Sequence, residues 1–362
     1  MGAHERGLPE DTALFGSPLF DDPSARALRR VGVIDVGSNS VRLVVFDGAA
    51  RSPAYFFNEK ILCGLGAGLS QTGRLNPEGR TRALTALARF KALAEGLELS
   101  SLSAVATAAV RDAKDGPGFR AEVERSTGLT LQVIPGEEEA RLSAQGVLLG
   151  WPNASGLVCD IGGSSVELAA LDVGRVGQRA SRAIGPLKLK DIKGGRKGRR
   201  KVIDAAVEEL SSAVTAKSKR LYLVGGSWRA IARIDMERRG YPLQVLHEYR
   251  MTRGDIRATT KFIRHSDLEE LRLMSRISGA RMSLVPLASE VLSGLIRNIK
   301  PDEVVGSSYG IREGLLFEHM PQRLRDRDPL IEACRFAEDK DARLPGFGRT
   351  LFRFIAPLLK HA

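Results

Sequence analysis

The chain has 362 residues, 43% of them hydrophobic, so it can fill the cores of two or three domains and is not a disordered protein. Lys and Arg number 55 against 43 Asp and Glu, and the net charge of +12 indicates a polyanionic partner or a solvated basic surface. The three cysteines are far apart, which argues against a disulfide framework and for a reducing compartment. No apolar run approaches the ~20 residues of a membrane helix, and the start of the chain lacks the apolar core of a signal peptide. We therefore expect a soluble cytoplasmic protein without a transmembrane segment.

The first elements follow a change of character near residue 31. Residues 1–30 mix charge, Pro and Gly without a sustained period, and we predict a mobile N-terminal tail. From Val31 to Asp47 the pattern predicts strand, tight polar turn, strand. Further elements are predicted in chain order: a helix opening at Asn76-Pro77, strands at 103–109 and 131–134, and a helix from Gly136.

The strand–turn–strand unit occurs twice. Residues 33–47 and 158–172 share seven identities in fifteen positions at an offset of 125, including Asp35 with Asp160 and Gly37 with Gly162. Two arbitrary apolar strands would rarely match so well. We interpret the repeat as an internal duplication that gives two domains, 31–148 and 149–318, facing each other.

The second half contains a strongly basic segment. Residues 188–201 carry eight Lys or Arg and one acidic residue, and three glycines predict a flexible loop before a helix at 204–214. A solvated surface loop and a landing surface for a polyanion both remain open. A third glycine turn is predicted at 225–227, an apolar helix at 283–297, and a helical C-terminal extension at 319–362, too short for a third independent core.

The paired turns carry chemistry. Gly and Ser between two strands let backbone N–H groups and hydroxyls approach an anion closely. Asp35 and Asp160 precede these turns, and because carboxylates repel bare phosphate they imply a divalent cation or a water to orient. Two such turns and the third glycine turn resemble the actin/hexokinase-like architecture, in which two ribonuclease-H-like α/β domains flank a central phosphate cleft.

Six motifs between about residues 31 and 318 resemble the exopolyphosphatase / guanosine pentaphosphate phosphohydrolase family. In chain order they are Asp35-Val-Gly-Ser-Asn-Ser-Val41, Thr107-Ala-Ala-Val-Arg-Asp-Ala113, Gly136-Glu-Glu-Glu-Ala-Arg141, Asp160-Ile-Gly-Gly-Ser-Ser-Val-Glu167, Val224-Gly-Gly-Ser227 and Gly310-Ile-Arg-Glu-Gly314. The resemblance implies a phosphoric anhydride hydrolase that uses a divalent metal, usually Mg²⁺. Its substrate would be inorganic polyphosphate, cleaved at the terminal phosphate, or guanosine pentaphosphate.

The resemblance also implies roles for individual residues. Glu139 would be the general base, Arg111 would hold a phosphate, and Asp160 would orient metal and water. Glu138 and Glu139 lie ~100° apart on a helix, so we expect only one of them to face the cleft. The metal would be held by Asp160, Glu167 and Asp35. The substrate phosphates would be bound by Ser38, Asn39, Ser40, Gly162, Gly163, Ser164, Ser165 and Gly226, with Arg196 and Lys197 of the basic segment.

Departures from the family pattern are few. Ser164 stands where the family often has Gly or Ala, Val166 where it often has Thr, and Ser308 where an acid is common. None removes a catalytic group, but the chain has room only for the start of the helical C-terminal domain of longer members. Processive handling of long chains is therefore in doubt.

We predict a metal-dependent exopolyphosphatase, cytoplasmic and with a homodimer as one possible assembly. Guanosine pentaphosphate phosphohydrolase is the nearest rival, and the basic segment favours the longer polyanion. The sequence also leaves open an ATP phosphotransferase of the sugar- or acetate-kinase kind and a non-catalytic sensor of alarmone or polyphosphate. Basic residues without interleaved aromatics argue against sequence-specific nucleic-acid binding.

Overall fold

A computed structural model of the chain describes residues 18–20, 22–48, 51–344 and 346–359, and all side chains in these ranges except those of Ala280 and Leu359. Residues 1–17 of the predicted tail lie outside the described residues. Residue 21 also lies outside them. The described residues 22–30 are not a mobile tail: they contain helix α1 (Pro23–Arg26), and Ala25 and Leu28 are buried in a core that includes Phe317. This segment is ordered because its apolar side chains pack against residues near Phe317, far away in the sequence. The local sequence pattern does not reveal such a contact.

The first sheet has five strands in the order β3-β2-β1-β4-β5. β1 pairs antiparallel with β2, and β2 with β3, whereas β4 and β5 run parallel to β1. The strands are β1 (Val31–Val36), β2 (Ser40–Asp47), β3 (Ala54–Leu62), β4 (Ser101–Ala106) and β5 (Leu131–Val133). The strand predicted at 103–109 ends at Ala106, because the chain enters a helix directly after Thr107.

The second sheet has six strands in the order β10-β11-β9-β6-β7-β8. β6, β7 and β8 form an antiparallel meander like that of β1, β2 and β3, and β9 runs parallel to β6 as β4 does to β1. Both halves of the predicted duplication therefore have the same strand arrangement. The strands are β6 (Gly156–Ile161), β7 (Val166–Asp172), β8 (Arg175–Arg182), β9 (Arg220–Val224), β10 (Arg250–Met251) and β11 (Glu303–Gly306).

Helices pack around both sheets. Those up to the second sheet are α2 (Leu69–Thr72), α3 (Pro77–Gly96), α4 (Ala108–Asp112), α5 (Gly116–Thr127) and α6 (Gly136–Gly150). Those of the second half are α7 (Pro186–Leu189), α8 (Gly195–Ala213), α9 (Gly226–Arg239), α10 (Arg253–His265), α11 (Leu268–Ser275), α12 (Gly279–Met282) and α13 (Val285–Ile299). The last four are α14 (Ile311–His319), α15 (Gln322–Arg325), α16 (Pro329–Asp341) and α17 (Phe347–Leu359). No described helix is long and apolar enough to cross a membrane.

The basic segment is largely helical, which corrects the predicted loop. α8 begins at Gly195, so Arg196 and Lys197 lie in its first turn, well before the predicted start at residue 204. Ile203 and Val207 of α8 are buried in the hydrophobic core of the second half. The Arg199 guanidinium makes two hydrogen bonds to the Glu290 carboxylate of α13. These long-range contacts stabilise a helix start that glycines disfavour.

A further hydrophobic cluster contains residues of both halves and joins them. Buried residues of the first sheet, such as Val33, share a cluster with Val158 of the second sheet and with Leu316 of α14. Gly314 of α14 lies so close to α6 that a Cβ there would stand 1.9 Å from the Leu142 carbonyl oxygen. Helix α14, which the sequence assigns to the second domain, therefore packs against the last helix of the first.

Candidate active site

A cleft of about 200 Å³ opens where the two meanders face each other. Most of the predicted site residues line it, because both turns lie at the same ends of equivalent strands. The predicted residues that line the cleft are Asp35, Ser38, Asn39, Ser40, Glu139, Asp160, Gly162, Gly163, Ser165 and Gly226.

The two glycine-serine turns touch each other across the cleft. The Ser38 and Ser164 hydroxyl oxygens are 3.2 Å apart. A Cβ on Gly163 would stand 3.0 Å from Leu187 Cδ1 and 3.1 Å from Ser38 Cβ, so glycine permits this close approach. The turns thus form the two sides of a narrow slot, and the Ser164 side chain bridges them instead of lining the cavity.

Strand register places the charged side chains of each half in a row. In the first sheet Asp35 pairs with Arg42, and Arg42 pairs with Lys60 on the edge strand. Directly paired residues of neighbouring strands project from the same face of a sheet. One side of the cleft therefore carries two cations beside a single carboxylate.

The equivalent row of the second sheet is acidic. Asp160 pairs with Glu167, and Glu167 pairs with Ser181, whose hydroxyl donates to Glu167 Oε1 at 2.8 Å. Glu167 stands at the position that corresponds to Arg42 in the duplication. The two strand rows thus differ in charge, although their backbones repeat.

Five cationic side chains that the sequence did not predict line the cleft: Arg42, Lys60, Arg229, Arg281 and Arg312. Arg312 belongs to a motif to which the sequence assigned no role. Arg42 lies seven residues after Asp35, a spacing that places both on one sheet face once the hairpin register is known. Arg229, Arg281 and Lys60 come from separate elements, and only the tertiary structure brings them together.

Glu139 lies in the first turn of α6, buried and aimed into the cleft. The Glu138 side chain instead accepts two hydrogen bonds from the Arg141 guanidinium and is partly exposed. As predicted, only one of the two faces the cleft. Arg111 does not line the cleft: its Nη1 donates to Glu139 Oε2 at 3.2 Å and to the Ile134 carbonyl at 3.0 Å, which orients the Glu139 carboxylate.

Three buried carboxylates crowd the acidic side. Burial raises the pKa of Glu139 well above its ordinary value, and the charges of Glu167 and Asp160 raise it further. Burial likewise raises the pKa of Glu167 to about 8, reinforced by the charge of Asp160. Burial raises the pKa of Asp160 to about 6, although the Ser143 hydroxyl donates to this carboxylate. Such a group favours a bound cation, because a cation would stabilise the ionised forms.

The donor set fits a hard cation only in part. Glu167 Oε2 is buried without a hydrogen-bond partner, and it lies beside Asp160 on the same sheet face. Among the described residues, however, no three His, Cys, Asp or Glu side chains converge as one ligand group. The predicted ligands Asp35, Asp160 and Glu167 therefore do not form one ligand group. Asp35 and Asp160 line the cleft from opposite sheets, whereas Glu167 is buried beside Asp160 and does not line the cleft. Mg²⁺ commonly takes only one or two carboxylates and completes its shell with water and phosphate oxygens.

Two residues of the predicted substrate-binding set lie elsewhere. Arg196 and Lys197 do not line the cleft, because the segment that carries them is the first turn of α8 and not a loop reaching inward. Arg196 lines a separate cavity of the second half.

Two duplicated α/β halves that close around a phosphate-sized slot define the actin/hexokinase-like class of folds. The profile of the Ppx/GppA phosphatase family matches residues 44–323, and the chain belongs to this family. The crystal structure of the Aquifex aeolicus member of the Ppx/GppA family covers 82% of this chain and 98% of its own, with a TM-score of 0.69 and 25% identity.

Two curated relatives from Mycobacterium tuberculosis bear the name exopolyphosphatase. Exopolyphosphatase 1 is 33% identical over 144 residues, and exopolyphosphatase 2 is 37% identical over 153 residues. Each match covers 39% of this chain, with 42% and 48% of the respective relative. The chain thus matches less than half the length of these relatives.

Proposed function

We propose that this chain is an exopolyphosphatase that releases the terminal phosphate of inorganic polyphosphate. The observation that carries the proposal is the lining of the cleft: five cationic side chains and two glycine-serine turns, with no aromatic or histidine ring among the described lining residues. Such a surface binds phosphate groups and offers no platform on which a nucleobase would stack. The names of the mycobacterial relatives support the same substrate.

The cationic side would hold the substrate. Arg42 and Arg312 present guanidinium forks that suit phosphate oxygens, and Lys60 adds a charge at the exposed mouth. The backbone N–H of Gly163 and the hydroxyls of Ser38 and Ser40 would bind the terminal phosphate between the two halves. The Gly162 N–H instead donates to the Ser165 carbonyl at 3.1 Å and holds the turn. In-line attack then requires a water on the acidic side.

Glu139 would supply the base. Its carboxylate would take a proton from that water while the water oxygen bonds to the terminal phosphorus. The phosphoanhydride bond to the rest of the chain breaks, and the shortened chain leaves with the electron pair of that bond. Arg111 would keep the carboxylate aimed at the water, since it is anchored on the Ile134 carbonyl.

Asp160 and Glu167 are the residues that would hold a divalent cation, with Glu167 Oε2 as an available oxygen. A bound Mg²⁺ would supply charge neutralisation for the phosphates and for the crowded carboxylates. Glu139 would then be ionised at neutral pH, as a base must be.

The matched pair Glu139→Gln and Glu138→Gln tests this assignment. Glu139→Gln keeps the shape of the side chain but removes the proton acceptor, and should lower kcat for polyphosphate by about 10²–10⁴ with little change in KM. Glu138→Gln should leave kcat close to wild type, because Glu138 points to Arg141. Near-normal turnover of Glu139→Gln, in protein that is folded by circular dichroism, would exclude Glu139 as the base.

A further inference from the structure

The second half contains another cavity, of about 290 Å³, that shares no lining residue with the cleft. Three helices form it, and each contributes residues at helical spacing. They are Arg196, Arg200 and Ile203 of α8; Thr260, Ile263 and Arg264 of α10; and Pro286, Ser289, Glu290, Ser293 and Arg297 of α13. Ser266 and Leu268 close the end beyond α10.

Four arginines surround this cavity. Arg200 and Arg297 both pair with Asp204, and the one acidic lining residue, Glu290, is neutralised by two hydrogen bonds from Arg199. Arg196 and Arg264 have no ion-pair partner among the described residues. Their two guanidinium groups can therefore bind an external anion. Ile203 and Ile263 are buried beneath them and give the floor an apolar character.

We propose that this cavity, which we call the arginine pocket, binds the phosphate group of a small phosphorylated molecule. Arg196 of α8 and Arg264 of α10, which both line the cavity, would share the phosphate oxygens, and Arg200 and Arg297 would add longer-range attraction. The volume lies at the lower end of small-molecule sites, which suits a phosphomonoester and not a folded polymer. The apolar floor would contact the organic part. This site does not depend on the activity proposed for the cleft.

Calorimetric titration of the full chain tests the proposal with two probes, orthophosphate and adenosine 5′-monophosphate, and with adenosine as the uncharged control. The cleft also attracts phosphate, so the titration is repeated on Arg42→Ser/Arg312→Ser, in which the cleft is weakened. We expect this variant to retain one binding site for adenosine 5′-monophosphate. We expect that adenosine does not bind. If orthophosphate binds that site as tightly as adenosine 5′-monophosphate does, the same arginines bind free phosphate and the organic part contributes nothing.

Two double variants of α8 and α10 locate the site. Arg196→Ser/Arg264→Ser should weaken the retained site about tenfold or more, the effect of losing a charged hydrogen bond. Lys197→Ser/Lys201→Ser removes the same total charge, entirely from α8, without touching the pocket lining, and should change the affinity by less than about twofold. Thermal unfolding of all variants controls for folding.

Three results would overturn the proposal. Equal weakening by the lysine pair would mean a diffuse basic surface, and absence of any site in the cleft-weakened variant would place all phosphate binding in the cleft. A rise in KM for long polyphosphate in Arg196→Ser/Arg264→Ser, with neither small probe bound, would assign the arginines to a polymer chain instead.

Discussion

One pair of equivalent residues shows how the two duplicated halves diverged in charge. Position 42 is arginine and its duplicate, position 167, is glutamate, while the aspartates that face them are the same. The strand row of Asp35 can therefore attract phosphate, and the strand row of Asp160 can attract a cation. The sequence predicted both aspartates and both turns from their spacing, but it did not predict that Arg42 shares the row of Asp35, because that requires the hairpin register.

Lys60 gives the cleft a pH dependence at the residue scale. Desolvation within the cleft, followed by the neighbouring Arg281, Arg42, Arg312 and Arg229, lowers the pKa of Lys60 to about 8. The ammonium is charged below this pH and neutral above it, so kcat/KM for polyphosphate should fall about two- to fivefold between pH 7 and 9, the effect of one solvent-screened charge.

Two variants isolate that effect from other titrations. Lys60→Arg stays cationic and should lose this part of the pH profile, whereas Lys60→Met should be weaker at pH 7 and equally flat. A Lys60→Arg profile that falls as the wild-type profile does would show that another group titrates.

At the scale of elements, the local sequence pattern predicted most strands. It failed where contacts with residues distant in the sequence determine whether a segment is helical. Asn76-Pro77 opens α3 as predicted, since the Asn76 side chain accepts from the Gly79 N–H at 2.8 Å. The glycine-rich start of α8 was predicted as a loop, because the Glu290 partner of Arg199 lies 91 residues away. No local signal marks such a contact.

Helix α14 offers a stability test. Gly314→Ala would place a methyl group 1.9 Å from the Leu142 carbonyl oxygen of α6, so the two helices must separate. We expect a loss of about 1–3 kcal/mol in the free energy of unfolding, measured in urea. Gly96→Ala, at the end of α3, meets nothing within 4 Å and should leave stability unchanged or raise it by up to about 1 kcal/mol. Equal stability of both variants would contradict the close packing of α6 and α14.

At the scale of the whole molecule, the sequence predicted two facing α/β halves, and the fold confirms them. It did not predict that α14 packs against the first half, nor that Ala25 and Leu28 join the core that the two share. It also did not predict the cationic side of the cleft, because Lys60, Arg229 and Arg281 come from three elements dispersed along the chain. The repeated pattern of the turns is visible locally, whereas the charge of the cleft is a tertiary property.

The division of the cleft into a cationic and an acidic side makes one measurement decisive. Orthophosphate release is followed from long-chain polyphosphate and from guanosine pentaphosphate, each with Mg²⁺, after EDTA, and after Mg²⁺ is restored. We predict a higher kcat/KM for polyphosphate, loss of turnover in EDTA and recovery with Mg²⁺. A clear preference for the nucleotide, or full turnover in the chelator, would contradict the account.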